Sequence, residues 1–239
     1  QVISDHDEIS LSRKTIVRSL TAATFFLVVA SIAGQVAKYA LEHEVYGFVN
    51  LFYVDREGNI PTFFSASLLL LASLLLALIA VLKRRSHDTH WLQWIILSLA
   101  LLYMAVDESC GIHEMLERPG KRLLGQRDGG DIFHFAWVIF GMAFAVTFVL
   151  SYLKFFFHLS SPTQRRFFAA GTVFLSGALG MELLGSYYAS LHGVRNFPYS
   201  MLAAIEEGLE MTGIIIFINA LLKYLNDYYK TVRLRLDSF

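Results

Sequence analysis

Apolar residues in this chain gather in long unbroken runs instead of alternating with polar ones, and the charges collect between the runs. A helix needs about 20 mostly apolar residues to cross a bilayer. Six stretches meet that requirement, at about 16–40, 63–82, 91–116, 132–157, 167–191 and 199–225. The second carries no charge at all, so it has no polar face to turn toward water. Unbroken runs also favour helices over the strands of a membrane barrel, in which lipid-facing and lumen-facing residues alternate. The pattern therefore predicts an all-α, polytopic membrane bundle of six transmembrane helices. These form a single domain over residues 1–239, with the lipid bilayer as its first partner.

Basic residues give the expected orientation, because Lys and Arg concentrate on the cytoplasmic side of membrane proteins. Arg13, Lys14 and Arg18, then Lys83, Arg84 and Arg85, then Lys154, Arg165 and Arg166, then Lys223, Lys230, Arg233 and Arg235 fall on one side. Fewer fall on the other, so both termini are expected in the cytoplasm and the location is a bacterial inner membrane. The first span is too long for a cleavable signal peptide and lacks a small-residue cleavage site. The chain opens on Gln1, so a start upstream of it is expected. Trp91, Trp94, Tyr224, Tyr228 and Tyr229 suit the membrane–water interface. The stretch from Gly120 to Gly130 reads as an outer loop.

Composition narrows the function classes. Hydrophobic residues make up 55% and charged residues 17%, and 20 basic residues balance 20 acidic ones. A zero net charge gives no electrostatic reason to bind nucleic acid. Cys110 is the single cysteine, which rules out an intrachain disulfide. No Gly-rich phosphate loop or Gly-x-Ser-x-Gly elbow is present, and His113-Glu-Met-Leu-Glu117 lacks the second histidine of a zincin. Catalytic residues are not identifiable, and the pattern leans away from an enzyme.

The informative residues are acids inside the runs, where a charge costs roughly 2.5–3.5 kcal/mol on insertion scales. Asp107, Glu108 and Glu114 fall late in the third run, Glu182 in the fifth, and Glu206, Glu207 and Glu210 in the sixth. The third run is expected to stay helical from Trp91 through Glu114. At 1.5 Å per residue, Asp107 then lies roughly 24 Å from Trp91, and Glu206 roughly 12 Å from Pro198 on the antiparallel sixth run. All three helices deliver carboxylates to the outer half of the bilayer. At 100° per residue, Asp107 and Glu114 nearly eclipse, as do Glu206 and Glu210, while His113 points well aside. His134 opens the fourth run at that level and His192 closes the fifth.

So many carboxylates cannot all stay ionised in a low-dielectric pocket; either some hold protons or a cation compensates them. Asp107, Glu108, Glu114, His134, Glu182, Glu206, Glu207 and Glu210 are thus candidate ligands of a divalent metal ion. The same residues are candidate proton carriers. Tyr187 and Tyr188 either donate to Glu182 or anchor at the interface. Small residues from Ala169 to Gly185 mark the fifth run as the central packing helix. Three classes follow: a cation or proton transporter, a metal-dependent membrane hydrolase, and a structural subunit of a larger complex or homo-oligomer.

Ala105-Val-Asp-Glu108 echoes Ala204-Ile-Glu-Glu207, an arrangement expected of inverted three-helix halves. The stretches from Val106 to Glu114 and from Ile205 to Ile214 resemble the signature segments of a group of small bacterial multispanning proteins that sometimes carries a transporter label. The resemblance covers those helices and the span pattern. It implies that Asp107, Glu108, His113, Glu114, Glu206, Glu207 and Glu210 belong together, and it implies no activity. The alkaline ceramidases are a poor match, since their terminal His-x-x-x-His is missing here.

Overall fold

A computed structural model describes residues 12–125 and 132–229. Its elements are α1 (Arg13–Ala40), a 3-10 turn (Val45–Gly47), α2 (Phe48–Phe52), α3 (Ile60–Arg85) and α4 (Trp91–Cys110). A second 3-10 turn (His113–Leu116) leads into α5 (Glu117–Leu124) and α6 (Val138–His158). Then come α7 (Ser161–Leu175), a π-helical turn (Ser176–Met181), α8 (Glu182–His192) and α9 (Phe197–Tyr228). The described residues are thus all-α, with no strand.

Five segments are long and apolar enough to cross a membrane: α1, α3, α4, α6 and the continuous 161–192 segment from α7 to α8. The sixth expected span corresponds to α9. At 32 residues it is amply long, but it carries Glu206, Glu207 and Glu210 and is not among the five.

Helix ends follow local chemistry. Asn59 caps α3 by accepting from the Thr62 N–H at 3.2 Å, with Pro61 in the first turn. Lys83, Arg84 and Arg85 close α3 where the helix dipole favours positive charge. Asn196 caps α9 in the same way, accepting from Tyr199 N–H at 2.9 Å. The third span stops earlier than the apolar pattern predicts. Gly111 adopts the left-handed conformation (φ 59°), its N–H bonds back to the Asp107 carbonyl, and α4 ends at Cys110. Asp107 and Glu114 therefore do not share one helix face.

The core corrects three further expectations. The central element is α9, which packs on α1, α3, α7 and the π-helical turn. Its Met211, Ile214, Ile218 and Leu221 bury against Leu68, Leu76 and Ile79 of α3. Small residues of the fifth span serve that approach: a Cβ on Gly177 would lie 2.7 Å from the Glu206 carbonyl oxygen. Trp94 (1% exposed) and Tyr224 (3%) are core residues, not interfacial anchors. Their rings meet at 5.0 Å, with Phe155 edge-on to Trp94 at 5.1 Å. Trp91 keeps a surface role beneath the Arg84 guanidinium, and Tyr228 is half exposed. Finally, the Gly120–Gly130 stretch is helical to Leu124 within α5, and its remainder from 126 lies outside the described residues.

One helix stands apart. Within the described residues α6 packs closely only against the π-helical turn, and elsewhere single side chains bridge it to the bundle. The Tyr152 hydroxyl donates to the Gln93 carbonyl at 3.0 Å, and His158 stacks on His90 at 3.9 Å.

Candidate functional site: a carboxylate-lined cleft

The space between α6 and the bundle is a cleft of about 1540 Å³. One end, where α3, α6 and α9 begin, is lined by Asp55, Glu57, Asp107, Glu108, Glu114, Glu117, Glu182, Glu206, Glu207 and Glu210. The other end, where α6 finishes, is lined by Phe155, Phe156, Phe157 and Leu159. All eight candidate residues, Asp107, Glu108, Glu114, His134, Glu182, Glu206, Glu207 and Glu210, face this one space. His192 does not; it stacks on Tyr188 at 4.5 Å. Cys110 is exposed.

Backbone geometry aims the innermost acids. The π-helical turn inserts extra backbone between α7 and α8, which rotates everything after it by roughly 100° per added residue relative to a continuous α-helix. Glu182 is the first residue past that turn. Gly177 within it lets α9 approach until its Cα is close to Glu206 and Glu210. Glu182 of α8 and Glu206 of α9 consequently line the same space from two helices that approach closely at Gly177. Glu108 enters the same space from α4. Glu207 and Glu210 line the same space and make no hydrogen bond among the described residues. Carboxyls crowded into one low-dielectric space require protons or a cation among them.

A second layer orients the first. The Trp137 indole N–H donates to Glu182 Oε1 at 2.9 Å, while its backbone N–H donates to Glu117 Oε2 at 3.2 Å. Glu117 also pairs with Lys121 at 2.6 Å. Trp137, not Tyr187 or Tyr188, is therefore the donor to Glu182. Its ring lies 4.6 Å from that of His113. His113 in turn belongs with Asp107, although helical spacing pointed it away. The Asp107 carboxylate accepts the His113 backbone N–H at 2.7 Å and the Nδ1–H at 3.1 Å. Helix termination at Gly111 folds the chain back and makes that pairing possible.

Outside the spans, charge and burial shift three of the groups that line the cleft. Burial works against the His113 imidazolium, but the hydrogen bond to Asp107 and the charges of Asp107, Glu114 and Glu57 outweigh it and hold His113 above its usual range. Burial among protein atoms lifts Asp55 to about 6, helped by Glu182 and Glu114 and opposed by the Tyr53 hydroxyl, which donates to Oδ2 at 2.8 Å. Glu57 is also raised, by burial and then by Glu114. Asp55 and Glu57 had no signature in the sequence: an Asp-Arg-Glu in a polar connection reads as a solvated loop. Their role depends on Gly111, where a Cβ would sit 2.6 Å from Glu57 Oε1.

Among the described residues, ten carboxyls thus share the cleft with two permanent cations, Arg56 and Lys121. Among the described residues no three His, Cys, Asp or Glu side chains converge into a ready metal-binding group. The arrangement suits groups that hold and exchange protons, or a cation whose arrival draws the carboxyls together.

A family described as a domain of unknown function (DUF8692) has a model that matches residues 17–225. The match spans every described helix of the bundle from early α1 to late α9. No curated protein and no solved structure matches the chain.

Proposed function

The chain belongs to the DUF8692 family, and for it we propose an integral membrane protein that loads protons or a small cation into a carboxylate pocket in the outer half of the bilayer. In this reading α9 is the sixth span, both termini are cytoplasmic, the membrane is a bacterial inner membrane, and the protein is a small cation/proton transporter. The observation that carries it is the convergence of Glu182 and Glu206, from separate closely packed helices, on one cleft. Intramembrane carboxyls are costly unless they face a bundle interior or cavity, and in such positions they mark ion pathways and proton relays. Glu108, Glu207 and Glu210 extend the same group, and among the described residues none of them forms an ion pair.

Trp137 and His113 complete a path toward the end of the bundle. The indole fixes Glu182, and the Asp107–His113 pair forms a titratable group at the rim. A divalent ion is an alternative cargo for the same carboxyls. Proteoliposomes holding a pH-sensitive dye test the reading directly. A cation gradient is expected to drive a pH change that Glu206→Gln and Glu182→Gln each abolish, while protein incorporation stays constant. Flux equal to that of empty vesicles, or flux unaltered by both substitutions, contradicts it.

A further inference from the structure

The acids occupy one end of the cleft; the remainder is aromatic. Along α6, Phe140, Phe144, Phe148, Tyr152 and Phe156 recur every fourth residue and all line the cleft. Residues four apart on a helix are neighbours on its surface, and Phe144, Phe148 and Tyr152 form a stacked ladder. Phe144 and Phe148 stack with centroids 5.8 Å apart, and Phe148 and Tyr152 at 4.3 Å. Pockets for drug-sized ligands occupy roughly 300–1,000 Å³, so this space is larger than a proton or metal ion needs. Phe144 is 54% exposed within a helix that stands off from its neighbours, so among the described residues this end of the ladder is largely uncovered.

Charge and shape together select the occupant. An excess of carboxyls at one end repels an anionic head group and favours a cationic one. Aromatic faces attract ammonium groups through their quadrupoles and also offer apolar walls to a hydrocarbon chain. Glu207 and Glu210 line the cleft and have no hydrogen-bond partner among the described residues, which leaves their oxygens to receive such a head. We infer that the cleft binds a single-chain cationic amphiphile, with its amine or quaternary ammonium head among Glu206, Glu207 and Glu210 and its tail along the α6 ladder. This rests on the proposed function only in taking the acids as acceptors of positive charge, and it names the substrate class.

Ligand-dependent shifts in thermal unfolding, measured on the full chain in maltoside micelles, test the inference with three probes. Octyltrimethylammonium carries head and tail, tetramethylammonium the head alone, and octyl sulfate the same tail with an anionic head. Octyltrimethylammonium is expected to bind saturably and about tenfold or more tightly than tetramethylammonium, because its buried methylenes add to the head contacts. Octyl sulfate is expected to produce no saturable shift. Phe148→Ala should erase most of the preference for the tailed probe, and Glu210→Gln should weaken both cationic probes. Leu74→Ala, at an exposed position of α3 outside the cleft, should change neither. Equal binding of octyl sulfate overturns the inference, as does a tail preference that survives Phe148→Ala. Cross-linking that places a second copy of the chain against Phe144 overturns it too. Loss of flux in Glu206→Gln without amphiphile binding would remove this inference and leave the transporter reading in place. Amphiphile binding with flux unaffected would do the reverse.

Discussion

Single side chains at the rim carry the most direct pH dependence. Asp107 gives His113 two hydrogen bonds, one to its backbone and one to its ring, and the carboxylates of Glu114 and Glu57 add to the field. The folded state therefore holds the His113 proton more tightly than the unfolded chain. The sign of the linkage follows: this stabilisation is fully present below pH 6.5 and is lost as the pH rises through the higher folded value. Asp107→Asn should lower the midpoint of the His113 ring titration observed by NMR and flatten that limb of the stability profile. A midpoint unchanged by the substitution would show that the pair does not set the proton affinity. Asp55 behaves oppositely in origin, being lifted to about 6 by burial first. Folding thus favours its neutral form, and its contribution to stability declines as the pH climbs from 3.8 toward 6.

Elements decide whether those side chains meet. Six apolar runs were legible because membrane helices are apolar over their whole length, and five of the corresponding segments have the length and apolarity to span. That the acids of three runs line one space was legible too, since rise per residue is fixed. What spacing could not supply were the interruptions. Gly111 ends α4 by taking a positive φ, and nothing in the apolar pattern around it distinguishes that glycine from a tolerated one. The π-helical turn before Glu182 depends on the fit of Ser176–Met181 against α9, which is a tertiary property. Gly177 offers a test of that fit. Its missing side chain leaves room for the Glu206 carbonyl and the Glu210 stem, at 2.7 and 2.8 Å from an added Cβ. Gly177→Ala should lower stability by about 1–3 kcal/mol, the usual cost of overpacking, read as a lower thermal midpoint in micelles. Gly171→Ala, with open space around it, should leave the midpoint nearly unchanged. Equal effects would mean that the close approach of the fifth span to α9 is not a tight packing point.

At the scale of the whole molecule, α9 is both the centre of the core and the carrier of three glutamates, so the element that organises packing also exposes acids to the cleft. An amphipathic surface helix would separate those duties by face alone. Here they are also separated along the helix, with Glu206 to Glu210 in the first half and Met211 to Leu221 buried after them. The standing-off of α6 then makes a cleft where a sixth tightly packed helix would have sealed one. Glu182 and Glu206 lie at its heart, and the account stands on their sharing positive charge. Infrared difference spectroscopy across a pH jump reads a protonated carboxyl through its carbonyl stretch. The account predicts a band that Glu182→Gln and Glu206→Gln each remove, with the double variant losing no more than either single one, since both would report the same proton. Separate bands that disappear additively, or no protonated carboxyl at neutral pH with the cation absent, would contradict it.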